Sequence, residues 1–119
     1  MARTYKSENA IQQECYMWFH NTYPKLRGCL FAVPNGGARS KIEGRLFKET
    51  GLVAGVSDML FMFKGNTYCF ELKTVIGFQS EKQIEWQKVI ESQGFNYFII
   101  RDSSLFKSII KSIIGDEVN

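Results

Sequence analysis

The sequence predicts an α/β fold, a mixed β-sheet flanked by helices, and three observations carry that prediction. Hydrophobic periodicity alternates along the chain as helix, strand, helix, strand, strand, helix, strand, helix. A tight turn near residue 65 joins two of the strands as an antiparallel hairpin. The strand, helix, strand run over 67–100 then favours a right-handed parallel crossover, so the sheet is mixed. The 119 residues form a single domain in this reading, with no repeat, low-complexity tract or long linker.

Each element has a local cause. Ser7 is a suitable N-cap for a helix over 7–20, where Ile11, Cys15, Trp18 and Phe19 recur on one face and Glu14 lies within the same arc. Pro24 and Gly28 mark a connector, residues 30–33 form a short apolar strand, and Pro34-Asn35-Gly36-Gly37 is a turn. Ile42, Leu46 and Phe47 predict a second helix over 39–50, stopped by Gly51 in the left-handed conformation. After a loop at 52–55, a strand over 59–63, a Lys64-Gly65-Asn66 turn and a strand over 67–73 build the hairpin. Period two places Tyr68, Phe70 and Leu72 on one face of the later strand, and Cys69, Glu71 and Lys73 on the other. Ser80 caps a helix reaching about residue 93, with Ile84, Val89 and Ile90 as apolar positions and Gly94 as terminator. A strand over 95–100 follows. Asp102 or Ser103 opens a last helix with two apolar columns, Leu105, Phe106, Ile109, Ile110, Ile113 and Ile114.

Composition narrows the function classes. No apolar run approaches the roughly 18 residues of a membrane span, and no signal-type apolar stretch follows Met1, so membrane and secretory readings are set aside. Cys15, Cys29 and Cys69 are odd in number and lack a CxxC pair, and His20 has no second ligand nearby. Neither a disulfide framework nor a zinc site follows, and a reducing, intracellular compartment is expected. The net charge of +3 is unevenly placed: residues 25–48 carry six basic groups against one acidic, or +5, and the other 95 residues carry −2. Clustered Lys and Arg release counterions from phosphates, so a polyanionic partner is expected, although a basic run also occurs as a solvated face.

The residues with chemistry lie around the hairpin. Asp58 begins one strand and Glu71 nears the end of its antiparallel neighbour, which brings the two carboxylates together. Two carboxylates with a backbone carbonyl make a hard oxygen site for Mg²⁺ or Mn²⁺, and Lys73 beside a metal-bound water suits phosphodiester hydrolysis. Simpler readings stand beside these. Glu71 and Lys73 also fit a surface pair, Glu14 the edge of its stripe, and Gln83 a capping box with Ser80; Trp18 and Trp86 fit the core. The Asn35-Gly36-Gly37 turn has no following Gly-Lys-Ser/Thr, so it is not a nucleotide P-loop.

Taken in order, Gly51-Leu52-Val53-Ala54-Gly55-Val56-Ser57-Asp58, Glu71-Leu72-Lys73-Thr74, and Ser80-Glu81-Lys82-Gln83-Ile84-Glu85-Trp86 with Gly94 beyond, the sequence resembles the VRR-NUC family of PD-(D/E)XK nucleases. The resemblance runs from Glu14 to about Arg101 and includes the Asn35-Gly36-Gly37-Ala38-Arg39 turn. It implies a restriction-endonuclease-like core with metal ligands at Asp58, Glu71 and the carbonyl of Leu72, Lys73 activating water, Glu14 completing the metal site, and Gln83 projecting from the next helix. The family's usual proline before the aspartate is Ser57 here, a change that concerns strand entry more than chemistry. The expected function is a Mg²⁺- or Mn²⁺-dependent DNA endonuclease selective for branched or junction DNA. Asn35, Arg39, Lys41, Arg45 and Lys48 would contact the nucleic acid, and the two apolar columns of the last helix suggest a homodimer. The alternative is a non-catalytic nucleic-acid-binding module on the same fold.

Overall fold

The computed structural model describes residues 5–34 and 49–116. The Asn35-Gly36-Gly37 turn, nearly all of the expected second helix, and Arg39, Lys41, Arg45 and Lys48 lie outside the described residues. The described elements are α1 (Glu8–Thr22), a 3-10 turn (Pro24–Leu26), β1 (Leu30–Ala32), β2 (Met59–Phe63), β3 (Asn66–Leu72), α2 (Glu81–Ser92), β4 (Asn96–Ile100) and α3 (Ser103–Ile114). The sheet order is β1-β2-β3-β4, with the first two pairings antiparallel and β3 to β4 parallel. The mixed sheet expected from the sequence is therefore present.

Element ends follow local chemistry. Ser7 Oγ accepts from the Ala10 N–H, and Asp102, rather than Ser103, caps α3 by accepting from the Leu105 N–H at 3.0 Å. The hairpin turn is one residue shorter than expected. Asn66 pairs with Phe63, leaving Lys64 and Gly65 as a two-residue turn with φ of 48° and 82°. Two successive positive φ values give a twist that matches the flanking strands, which a three-residue turn without a bulge would not.

Period two sorts β3 between two layers. On one face Phe70 meets Phe106 of α3 edge-on at 4.9 Å, and Leu72, Met59, Phe61 and Ile100 pack with Ile11, Cys15 and Phe19 of α1. On the other face Cys69, Glu71 and Lys73 lie beneath α2, whose Trp86 packs on Tyr97 of β4 at 6.0 Å. β3 is thus buried on both sides from Cys69 onward. Two expectations change here. Ile84 and Val89 of α2 are exposed, because α2 covers the polar face of the sheet and has no fully buried side chain. In α3, Ile109 and Ile113 pack against the core beside Phe106, Ile110 and Ile114, which leaves Leu105 exposed and removes the wide apolar face that suggested a dimer. No helix among the described residues is long and apolar enough to cross a membrane.

Candidate active site

The register places Asp58. Met59 pairs with Phe70, so one step outward Asp58 stands opposite Glu71, with both side chains on the α2 face. Asp58 also ties three strands together. Its carbonyl accepts from the Val33 N–H at 2.8 Å, and its Oδ2 accepts from the Leu72 N–H at 2.7 Å. Just before it, Ser57 is fully buried and its hydroxyl donates to the Met59 carbonyl at 3.3 Å. Ser57 thus holds the strand entry by hydrogen bonding, where proline would have held it by its ring. The approach to this strand is equally constrained. Gly55 has φ of 85°, and a Cβ there would stand 2.2 Å from the Lys82 carbonyl oxygen in the first turn of α2. Only glycine fits both conditions.

Glu71 is 1% exposed and surrounded by donors. Gln83 Nε2 donates to its Oε2 at 2.8 Å, the Tyr97 hydroxyl donates to its Oε1 at 3.3 Å, and Lys73 Nζ lies 3.8 Å from Oε2. Burial, and then the neighbouring Asp58 charge, push the Glu71 carboxyl up to about 8, against the opposing influence of Lys73 and Tyr97. Lys73 is itself 8% exposed. Burial also raises the Tyr97 hydroxyl, with the Glu71 charge adding to the effect.

Gln83 completes the capping box foreseen for it and also reaches Glu71. Its Oε1 accepts from the Ser80 N–H at 2.8 Å while the Ser80 hydroxyl accepts from the Gln83 N–H, completing a capping box, and its Nε2 is then aimed at Glu71. The cap fixes the amide orientation that the carboxylate needs. Tyr97 and Gln79 have no motif in the sequence. Tyr97 sits in an apolar strand, and its polar role follows only from the parallel pairing of β4 with β3. Gln79 Nε2 approaches the Tyr97 hydroxyl at 3.3 Å and donates to Gln87 Oε1 at 2.9 Å, extending the network across α2.

Glu14 does not join this group. It is ion-paired with Lys6, and hydrogen bonds from Lys6 and then Ser103 hold its carboxyl below the usual range. It lines a cavity with Arg101 and Asp102, and among the described residues no three of His, Cys, Asp and Glu gather where they could hold one ion. The reason is the helix phase: Glu14 faces the start of α3. Glu8, in the first turn of α1, instead shares a cavity of about 370 Å³ with Thr74, the residue after Lys73.

The remaining donor set suits a hard divalent cation. Mg²⁺ is usually held by one or two carboxylates and keeps several waters, so the Asp58 and Glu71 pair meets that requirement without Glu14. Two carboxylates side by side, Glu71 buried with its ionisation suppressed and Asp58 half-buried, are also relieved by a positive ion between them.

Fold and site together define an α/β domain that carries a paired-carboxylate and lysine centre at the end of a central strand. A solved structure described as a VRR_NUC domain protein has the same fold, with a TM-score of 0.77, 17% identity, and coverage of 93% of this chain and 90% of that one. No protein-family model and no curated protein matches the sequence. At that identity the likeness shows the shared fold alone.

Proposed function

We propose that this protein is a Mg²⁺- or Mn²⁺-dependent nuclease of the PD-(D/E)XK type that hydrolyses DNA phosphodiesters, with branched or junction DNA as its preferred substrate. The observation that supports it most is the pairing of half-buried Asp58 with buried Glu71, with Lys73 beside them, on the fold of a VRR_NUC domain protein. Bound at this pair, the ion would supply Lewis-acid stabilisation of phosphate charge and a more acidic water. The protein's own contribution is orientation. The Leu72 N–H fixes Asp58, while Gln83 and Tyr97 fix Glu71, so neither carboxylate needs to reorganise when substrate arrives. Lys73, held close to Glu71, aligns the attacking water and takes part in its deprotonation.

The basic residues Arg39, Lys41, Arg45 and Lys48, with Asn35, are assigned to the DNA backbone on charge alone. A grip of that kind reads the path of the strands more than their sequence, which is the support for structure selectivity. A homodimer is retained only because cutting two strands symmetrically calls for two sites related by a two-fold axis.

The test is cleavage of branched, flapped and linear DNA with and without each metal. Glu71→Gln and Asp58→Asn are expected to lose cleavage by at least about a hundredfold while binding DNA as well as or better than the parent, because a carboxylate without its cation repels phosphate. Near-normal cleavage by Glu71→Gln would remove the assignment. Metal-independent binding without any cleavage by the parent would replace it with the binding-module alternative.

A further inference from the structure

The turn that follows Lys73 carries three apolar side chains in solvent: Val75, Ile76 and, most fully, Phe78 at 88% exposure. A loose loop could explain such exposure, but this turn is clamped along its length. The Gly77 N–H donates to the Thr74 carbonyl at 3.2 Å, and Arg101 Nη1 donates to the Thr74 and Gly77 carbonyls at 2.6 and 2.9 Å. Beyond Phe78, Gln79 is held by Tyr97 and Gln87. Phe78 therefore stands between two anchored neighbours, with its ring in solvent.

The inner side of the same turn forms a wall of the candidate active site. A Cβ on Gly77 would lie 3.7 Å from Lys73 Cδ, and the Gln79 to Tyr97 contact leads directly to Glu71. The turn that bears this ring therefore borders the place where a phosphate at Asp58, Glu71 and Lys73 would sit. The charged residues of the site and the basic segment deal with phosphates; none of them addresses a base. One aromatic face matches one nucleobase, and such stacking tolerates any sequence.

We propose that Phe78, backed by Ile76, is a stacking platform for a nucleobase adjacent to the phosphate held at the Asp58, Glu71 and Lys73 site, and that it favours DNA whose bases are already unstacked, as at a branch, over continuous duplex. The inference rests on the nuclease reading above and specifies the substrate feature that the site selects. An apolar wedge costs least where stacking is already broken, which gives the platform its preference.

The experiment uses the whole chain with Ca²⁺ in place of Mg²⁺, so that the paired carboxylates are neutralised, and a forked DNA carrying 2-aminopurine at nucleotides flanking the branch. The parent should change the fluorescence at one of these positions on binding. Phe78→Ala should abolish that change and weaken binding about tenfold, and Phe78→Trp should restore both. The slope of log affinity against log salt should be the same for all three, since stacking releases no counterions. An exposed side chain is replaced without unfolding, which circular dichroism checks. Unchanged fluorescence and affinity in Phe78→Ala overturn the platform, as does a loss accompanied by a shallower salt slope, or a change in molecular mass that would mark the ring as a contact between two copies. If the parent itself fails to bind forked DNA, the nuclease reading falls as well; binding by the parent that ignores Phe78 removes the platform alone.

Discussion

Glu71 shows how much one residue's surroundings alter its chemistry. As a strand residue two positions before a lysine it has the pattern of a surface pair, yet it is almost fully buried and its carboxyl is pushed up to about 8, first by burial and then by Asp58. A carboxyl whose folded value lies above its unfolded value of 4.5 stabilises the fold fully at low pH, and that contribution is lost as pH rises through the folded value. The metal-free protein should therefore lose stability between about pH 5 and about pH 9, by a few kcal/mol in total, since each tenfold change in a protonation constant is worth about 1.4 kcal/mol. Chemical denaturation across that range, in EDTA, measures it. Glu71→Gln should flatten the profile, and Mg²⁺ or Mn²⁺ should restore stability at the alkaline end in the parent only. A parent whose stability is constant over the range would show that the carboxyl is not perturbed in this way.

At the scale of elements, the site depends on how closely α2 approaches the loop before β2. Gly55 and Gly65 both have positive φ, 85° and 82°, but they differ in what surrounds them. A Cβ at Gly65 would meet nothing within 4 Å, whereas one at Gly55 would collide with the backbone of Lys82 and Gln83. Gly65→Ala should cost only the left-handed penalty, about 1–2 kcal/mol. Gly55→Ala should cost at least about 1 kcal/mol more, because the first turn of α2 must move. Gln83 belongs to that turn, so the displacement should also disturb its bond to Glu71. Urea midpoints of the two variants, compared with the parent, check the difference. Equal losses would mean that α2 is free to shift.

At the scale of the whole molecule, the oligomeric state is open to a direct measurement. With Ile109 and Ile113 on the core and Leu105 alone exposed, α3 gives a partner little to hold, so a dimer must be built elsewhere. Light scattering at micromolar concentration is expected to read about 27 kDa, twice the 13.7 kDa chain, if two linked sites cut two strands. A 13.7 kDa monomer that cuts both strands in one encounter would dispose of the pair. The sequence by itself determined the alternation of helices and strands, the mixed pairing, the caps at Ser7 and Ser80, and the meeting of Asp58 with Glu71, because each follows from short-range periodicity or from the register of one tight hairpin. Only the tertiary structure decided which helix faces which layer. That choice buried Ile109 and Ile113, exposed Ile84 and Val89, turned Glu14 toward Ser103, and brought Tyr97, 26 residues away, onto Glu71. The physical reason is that periodicity records how apolar a face is and says nothing of what lies opposite it. The partner of a buried polar atom is set by long-range packing, which no local pattern encodes.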